Sequence, residues 1–178
     1  MDQRRDALVV AAMFVIAVEQ EARAREGLVA TVGKLEVQPA AANVIPGRVE
    51  LSLDVRHADD SVRLEACRRM LSDAHGLAEG RGVAVDVRPL SENSAVACAP
   101  RLVSLLTRAV EDCGQVEIQI PSGAGHDGVA MSSLTDVGML FVRCKGGVSH
   151  HPAESVATQD VAVAIDVLSR FLELIAHP

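Results

Sequence analysis

The chain has 178 residues, 49% of them hydrophobic, a formal net charge of −7, no Trp or Tyr and three Phe. That length allows one large domain or two small ones, with a core that must be built from Ala, Val, Leu and Ile. The acidic balance, the lack of a basic block and the scarcity of stacking rings argue against nucleic-acid binding.

Arg4-Arg5 ahead of an apolar run from Ala7 to Val18, followed by Ala22-Arg23-Ala24, imitates a secretory leader. Acidic Asp2 and Asp6 precede that run, however, and Glu19-Gln20-Glu21 is too charged for the stretch before a cleavage site. Twelve apolar residues also fall short of a membrane span. A buried amphipathic helix over residues 4–25, ending near Gly27, is expected instead. Leu28 to Val37 reads as a strand, with Val29, Thr31 and Val32 favouring β structure. After the loop 38–42, Val44 to Arg56 reads as a second strand. There Val49, Leu51, Leu53 and Val55 alternate with Arg48, Glu50, Ser52 and Asp54.

Asp59, Asp60 or Ser61 caps a helix that runs to about Leu77, with Leu64, Cys67, Leu71 and Ala74 as its apolar stripe. Val83, Val85 and Val87 alternate in a third strand. Residues 91–99 form a polar connection and a plausible domain boundary. Pro100 opens a helix at its first turn, with Leu102, Leu105, Leu106, Ala109 and Val110 inward. Val116, Ile118 and Ile120 form a short strand, and a short helix follows over Val129 to Leu134. Val137 to Val142 is wholly apolar, as a strand buried on both faces would be. A last helix spans Val156 to Ala176, with Val161, Ile165, Leu168, Leu172 and Ile175 on one side.

The order helix–strand–strand–helix–strand in residues 1–90 is a βαββαβ ferredoxin-like unit lacking its first strand. Residues 100–178 read α–β–α–β–α, a fragment of a parallel α/β layer. The four cysteines, Cys67, Cys98, Cys113 and Cys144, are far apart with no CxxC pair. They read as reduced core thiols of a cytoplasmic protein, not as a disulfide framework or a zinc cluster.

The segments richest in chemistry are two glycine-rich loops, Pro121 to Gly128 and Lys145 to Glu154. The first carries His126 and the second His150 and His151. Glycine lets a loop turn and approach a ligand closely, and imidazole supplies the chemistry.

Four ordered motifs carry a resemblance: Asn43-Val44-Ile45-Pro46-Gly47, Leu53-Asp54-Val55-Arg56, Ser122 to Asp127, and Ser149 to Glu154. Together they resemble the dinuclear-metal amidohydrolases that include allantoate amidohydrolase, N-carbamoyl-L-amino-acid hydrolase and β-alanine synthase. More distantly they are similar to aminoacylases and exopeptidases. The stretch Asp136 to Gly147 looks most like allantoate amidohydrolases.

The resemblance implies a catalytic three-layer α/β domain with a smaller inserted lid domain that makes a homodimer. Residues 1–90 would be most of the lid, 91–99 the connection, and 100–178 the C-terminal part of the catalytic domain. The N-terminal catalytic portion, with most metal ligands and the acidic general base, would be absent. By the same resemblance His150 is a ligand to one of two divalent ions, zinc or manganese, with His151 as the competing candidate. His126 is a catalytic and substrate-contacting histidine, donating to a ureido or carboxylate oxygen. Arg56 binds the substrate carboxylate through its guanidinium fork. Asn43, thirteen residues earlier, both donates to and accepts from the ureido group.

Asp127 is expected to orient its loop or cap the short helix. Glu154 is either a neighbour of His150 or a charge at a helix N-terminus, and the latter is preferred. The implied reaction is metal-assisted hydrolysis of the ureido C–N bond of allantoate or a similar N-carbamoyl acid, the isolated chain being inactive. The alternatives are an aminoacylase or dipeptidase of the same superfamily, and a non-catalytic dimerisation module. Self-association is expected from unpaired sheet edges, with neither membrane nor nucleic acid as partner.

Overall fold

The computed structural model describes residues 4–177. Asp2, one of the two acidic residues weighed against a leader, lies outside them. The chain forms two compact units, one ending at Ala95 and the other beginning at Val96. Helices and small antiparallel sheets are mixed, as in an α/β protein.

The first unit opens with α1, Ala7–Arg23. Its apolar run is a folded helix that buries Ala7, Val10, Ala11, Phe14 and Val18. Asp6 caps it: the carboxylate accepts the backbone N–H groups of Leu8 and Val9 at 3.1 and 3.2 Å and pairs with Arg4. Strands β1, Val29–Thr31, and β2, Leu35–Gln38, follow. Strands β3, Arg48–Leu51, and β4, Asp54–Arg56, return antiparallel. Strand β1 pairs with β4 and β2 with β3.

One long strand was expected on each side, and the structure breaks both. Residues 32–34 face only 52–53, so the first side carries one extra residue, a β-bulge. At this point Ser52 Oγ accepts the Lys34 N–H at 3.0 Å, and the Ser52 N–H donates to the Lys34 carbonyl at 3.1 Å. The bulge has a purpose in the packing. The more buried residues shift from Ala30 and Val32 to Val37, and the pairs Ala30–Val55, Leu35–Leu51 and Val37–Val49 stay in register. A continuous strand would turn one half inside out.

Helix α2, Asp60–Glu79, is capped by Asp59, whose carboxylate accepts the Ser61 N–H at 2.7 Å. Its buried stripe is Ala66, Met70, Ala74 and Ala78; of the expected Leu64-Cys67-Leu71-Ala74 face only Ala74 belongs to it, and Leu64 is exposed. Small alanines on this stripe let α2 lie close to Phe14, Val18 and Leu28, with Leu51, Leu53 and Val55 packed alongside. The third expected strand, Val83 to Val87, forms no ladder among the described residues.

In the second unit α3, Pro100–Asp112, packs against α5, Thr158–Ala176, around Ala109, Val167 and Leu174. Arg170 on α5 donates to Asp112 on α3 at 2.7 Å. The face of α5 turned to α3 carries Val163, Val167, Phe171 and Leu174. The expected face, Val161-Ile165-Leu168-Leu172-Ile175, is instead the exposed one. The helix is apolar on two sides, so periodicity alone selects neither.

Residues 116–120 and 137–142, both expected as strands, form no ladder among the described residues. Val116 is 86% and Ile118 77% exposed, and Phe141 and Val142 also face outward, so 137–142 is not buried on both faces. Gly138 is a close approach to α3, since a Cβ there would sit 3.2 Å from Leu102 Cβ. The short helix α4 is Asp127–Met131, slightly earlier than expected.

Candidate functional site

Pairing of β1 with β4 places Val29 opposite Arg56 and Thr31 opposite Asp54. Alternation turns Ala30 and Val55 to the helices and leaves Arg56 and Asp54 on the open face. There Val29, Thr31, Gly33, Ser52, Asp54 and Arg56 line a groove of about 310 Å³. Arg56 donates from Nε and Nη2 to the two carboxylate oxygens of Asp54, at 2.6 and 3.0 Å. This is a fork-to-carboxylate contact of the kind the arginine was expected to make with a substrate. The Asp54 bond is also the first cause that holds the Arg56 guanidinium above its ordinary pKa.

Asn43 lies in the turn before β3 and is exposed. The Val44 N–H closes that turn on the Ala41 carbonyl at 3.3 Å. Asn43 does not line the groove with Arg56.

His126 sits at the N-cap position of α4 with extended backbone, and its side chain makes no cap bond. Its ring Nε2 lies 2.6 Å from Ser122 Oγ, and its centroid is 6.5 Å from that of Phe141 in an edge-on arrangement. The ring is thus held by a serine four residues back and by an aromatic from the 137–142 segment. Asp127 is the first residue of α4, where a carboxylate suits the helix dipole.

His150 has φ of 58°, the left-handed region, in which a non-glycine residue is uncommon. Gly146 and Gly147 before it also have positive φ. The conformation is held from two sides. Glu154 Oε2 accepts the His150 N–H at 2.8 Å, and Ser149 Oγ lies 2.7 Å from His150 Nδ1. Glu154 therefore belongs to the His150 loop. It is not the helix-terminal charge preferred from sequence, because α5 begins at Thr158 and carries Asp160 in its first turn.

His151 differs. Its Nδ1 accepts the Ala153 N–H at 3.1 Å, so a neutral His151 carries its proton on Nε2 and presents a donor. His150 can give Nδ1–H to Ser149 and keep the Nε2 lone pair, which is what a metal requires. Among the described residues no three or more His, Cys, Asp or Glu come together as a metal site. A two-metal centre needs more ligands than the described residues bring together. The four cysteines are free and half-buried, less enclosed than core thiols; burial pushes the Cys67 thiol up. No helix among the described residues is long and apolar enough to cross a membrane.

Helices mixed with small antiparallel sheets make this an α/β chain, and its sequence places it in a particular family. Residues 3–174 match the model of peptidase family M20/M25/M40, and the chain belongs to that family. It is 39% identical over 168 residues to an N-carbamoyl-L-amino acid amidohydrolase of Geobacillus stearothermophilus, covering 94% of this chain and 41% of that protein. It is 39% identical over 154 residues to an allantoate deiminase of Arabidopsis thaliana, covering 82% of this chain and 29% of that one. A solved amidase of the hydantoinase/carbamoylase family from Burkholderia multivorans superposes with a TM-score of 0.88 at 31% identity, over 94% of this chain and 41% of that one. The chain thus spans less than half the length of these relatives. Enzymes of this family generally use divalent metals.

Sequence reasoning missed Asp54, Ser122 and Phe141 as partners of the expected site residues. Asp54 had a signal: it shares the polar face of its strand with Ser52, and strand spacing puts Arg56 on that face too. Phe141 had none, because its approach to His126 depends on the path of an unpaired segment.

Proposed function

We propose that this chain is the C-terminal part of an amidohydrolase that hydrolyses the ureido C–N bond of allantoate or a similar N-carbamoyl amino acid. The observation that carries this reading is the Arg56 fork, which engages a carboxylate on the open face of β4, above a groove of ligand size. The names of the relatives, an N-carbamoyl-L-amino acid amidohydrolase and an allantoate deiminase, support the substrate class.

In this reading the residues up to about 90 are the lid and those from 100 onward are catalytic-domain chain. Arg56 exchanges Asp54 for the substrate carboxylate and fixes the acid end. Asn43, which lies outside the Arg56 groove, keeps the ureido role only on the family resemblance, donating its amide N–H and accepting at its carbonyl. His126, oriented by Ser122, donates a hydrogen bond to the oxygen on which charge develops. His150 serves as this chain's metal ligand, while the remaining ligands and the general base lie outside these 178 residues. The same proposal includes cytoplasmic location and a homodimer formed through the lid. A monomer in light scattering at high concentration contradicts the dimer.

The direct test follows Arg56 Nε by NMR while N-carbamoylglycine is added to the 178-residue chain. Shifts at Arg56, Val29 and Thr31 are expected, and Arg56→Ala weakens binding by about tenfold or more, the loss typical of a charged hydrogen-bonded pair. A titration that leaves Arg56 unmoved contradicts the assignment. No ammonia release is expected from this chain alone with zinc or manganese.

A further inference from the structure

We propose that His57 is a positioning residue for Arg56, an inference that rests on the reading of Arg56 as the carboxylate anchor. His57 immediately follows Arg56 at the end of β4, and its half-buried ring is bonded at both nitrogens. The backbone N–H of Asp59 points at Nδ1 from 2.9 Å. An N–H can only donate, so Nδ1 carries the lone pair and the neutral ring has its proton on Nε2. Nε2 lies 3.2 Å from the carbonyl oxygen of Glu26 and donates to it. Nδ1 is also 3.1 Å from the Asp59 carbonyl, but that oxygen offers no proton and does not compete for the lone pair.

The ring therefore staples two turns that are 31 residues apart in sequence. One leads from α1 into β1, the other from β4 into α2. The last rung of the β1–β4 ladder, Val29 opposite Arg56, lies directly beside the staple.

Gly27 is a second, independent sign that the contact is built. Its φ is 75°, and a Cβ placed there would stand 3.2 Å from His57 Nε2. The turn passes so near the ring that a side chain would crowd it. Arg56 is the last residue of a three-residue strand, and so short a ladder fixes the backbone weakly. The staple closes that end, and His57 is not among the residues that line the groove. It acts only by fixing the backbone from which Arg56 projects.

A double-mutant cycle on the full chain, read by NMR titration with N-carbamoylglycine, separates this from a general structural role. His57→Ala is expected to weaken binding about tenfold, and His57→Asn, which keeps an acceptor for the Asp59 N–H, to recover part of that loss. In the Arg56→Ala background His57→Ala should cost nothing further. Unmoved amide signals of the β2–β3 ladder show that the variants keep their fold. If His57→Ala does not fold, His57→Asn carries the same cycle. Wild-type binding by the His57 variants, or losses that simply multiply in the double variant, overturns the proposal. Wild-type binding by Arg56→Ala alone overturns the reading of Arg56 beneath it, and is a different result.

Discussion

In the first unit both long helices begin on an aspartate, and four strands pair through two ladders on one side of them. In the second, α3 and α5 begin on Ala99 and Ala157, neither with a side-chain cap bond, and segments 116–120 and 137–142 have no ladder partner among the described residues. The two units hold their candidate residues by correspondingly different means. Arg56 rides on a paired strand whose other face is core. His126 and His150 ride on glycine-rich loops, each steadied by a neighbouring serine and one further contact. The lesson is that a loop site can be preorganised locally even where the sheet that would support it is incomplete.

The largest effect that would sharpen the contrast is in amide exchange. The amides of Ala30 and Val55 should exchange about 100-fold more slowly than those of Val116 to Ile120, since paired, core-backed strands open only by larger unfolding. Equal rates would break the comparison.

Met70 is the next lever. It is 1% exposed at the centre of the first core, so Met70→Ala should cost about 2–5 kcal/mol in the denaturant transition of that unit. The transition followed by probes on α3 and α5 should stay where it is. A parallel shift of both would show that the units fold as one.

Acid separates them further. The Ser61 hydroxyl, then the Ser61 backbone N–H, holds the Asp59 carboxyl below the usual carboxylate range. The unfolded chain therefore takes up this proton at a higher pH than the folded one. The contribution of Asp59 to stability is present above the unfolded value and is lost as pH falls through the lowered folded value. Asp59→Asn should flatten the acid limb of the first unit, read by circular dichroism against pH. An unchanged limb would remove Asp59 from the account.

The smallest effect is on the His150 loop. Glu154→Ala removes one hydrogen bond to a strained backbone, and about 1 kcal/mol of local order with it, visible as a shift and broadening of the His150 amide. An unaltered signal would mean that the glycines alone set the loop.

Much of this was legible in the sequence, and the failures have physical causes. The helices, the two hairpin sides and the family motifs follow from periodicity and residue order. The bulge was not legible, because Gly33-Lys34 interrupts alternation in a way that looks like noise until pairing is known. The inward face of α5 was misassigned because the helix is apolar on two sides, and packing against α3 decides between them. The stripe of α2 was right at Ala74 and wrong at Leu64, Cys67 and Leu71, because large apolar residues were favoured over alanines, whereas close helix packing selects the alanines. Three apolar segments read as strands lack ladders among the described residues, since a strand needs a neighbour as well as a propensity. At the site, Arg56 on an open strand face was legible. Its engagement with Asp54 and the staple through His57 were not, for they depend on contacts across turns.

The central claim is that these residues are the back part of an amidohydrolase, with Arg56 as acid anchor and His150 as one ligand of a larger centre. Reading the genomic DNA immediately upstream of Met1, in frame, tests it most directly. The account predicts an uninterrupted frame encoding the missing His, Asp and Glu metal-ligand motifs. A stop codon with no such frame nearby would contradict it, leaving a chain with the family's fold and without its chemistry.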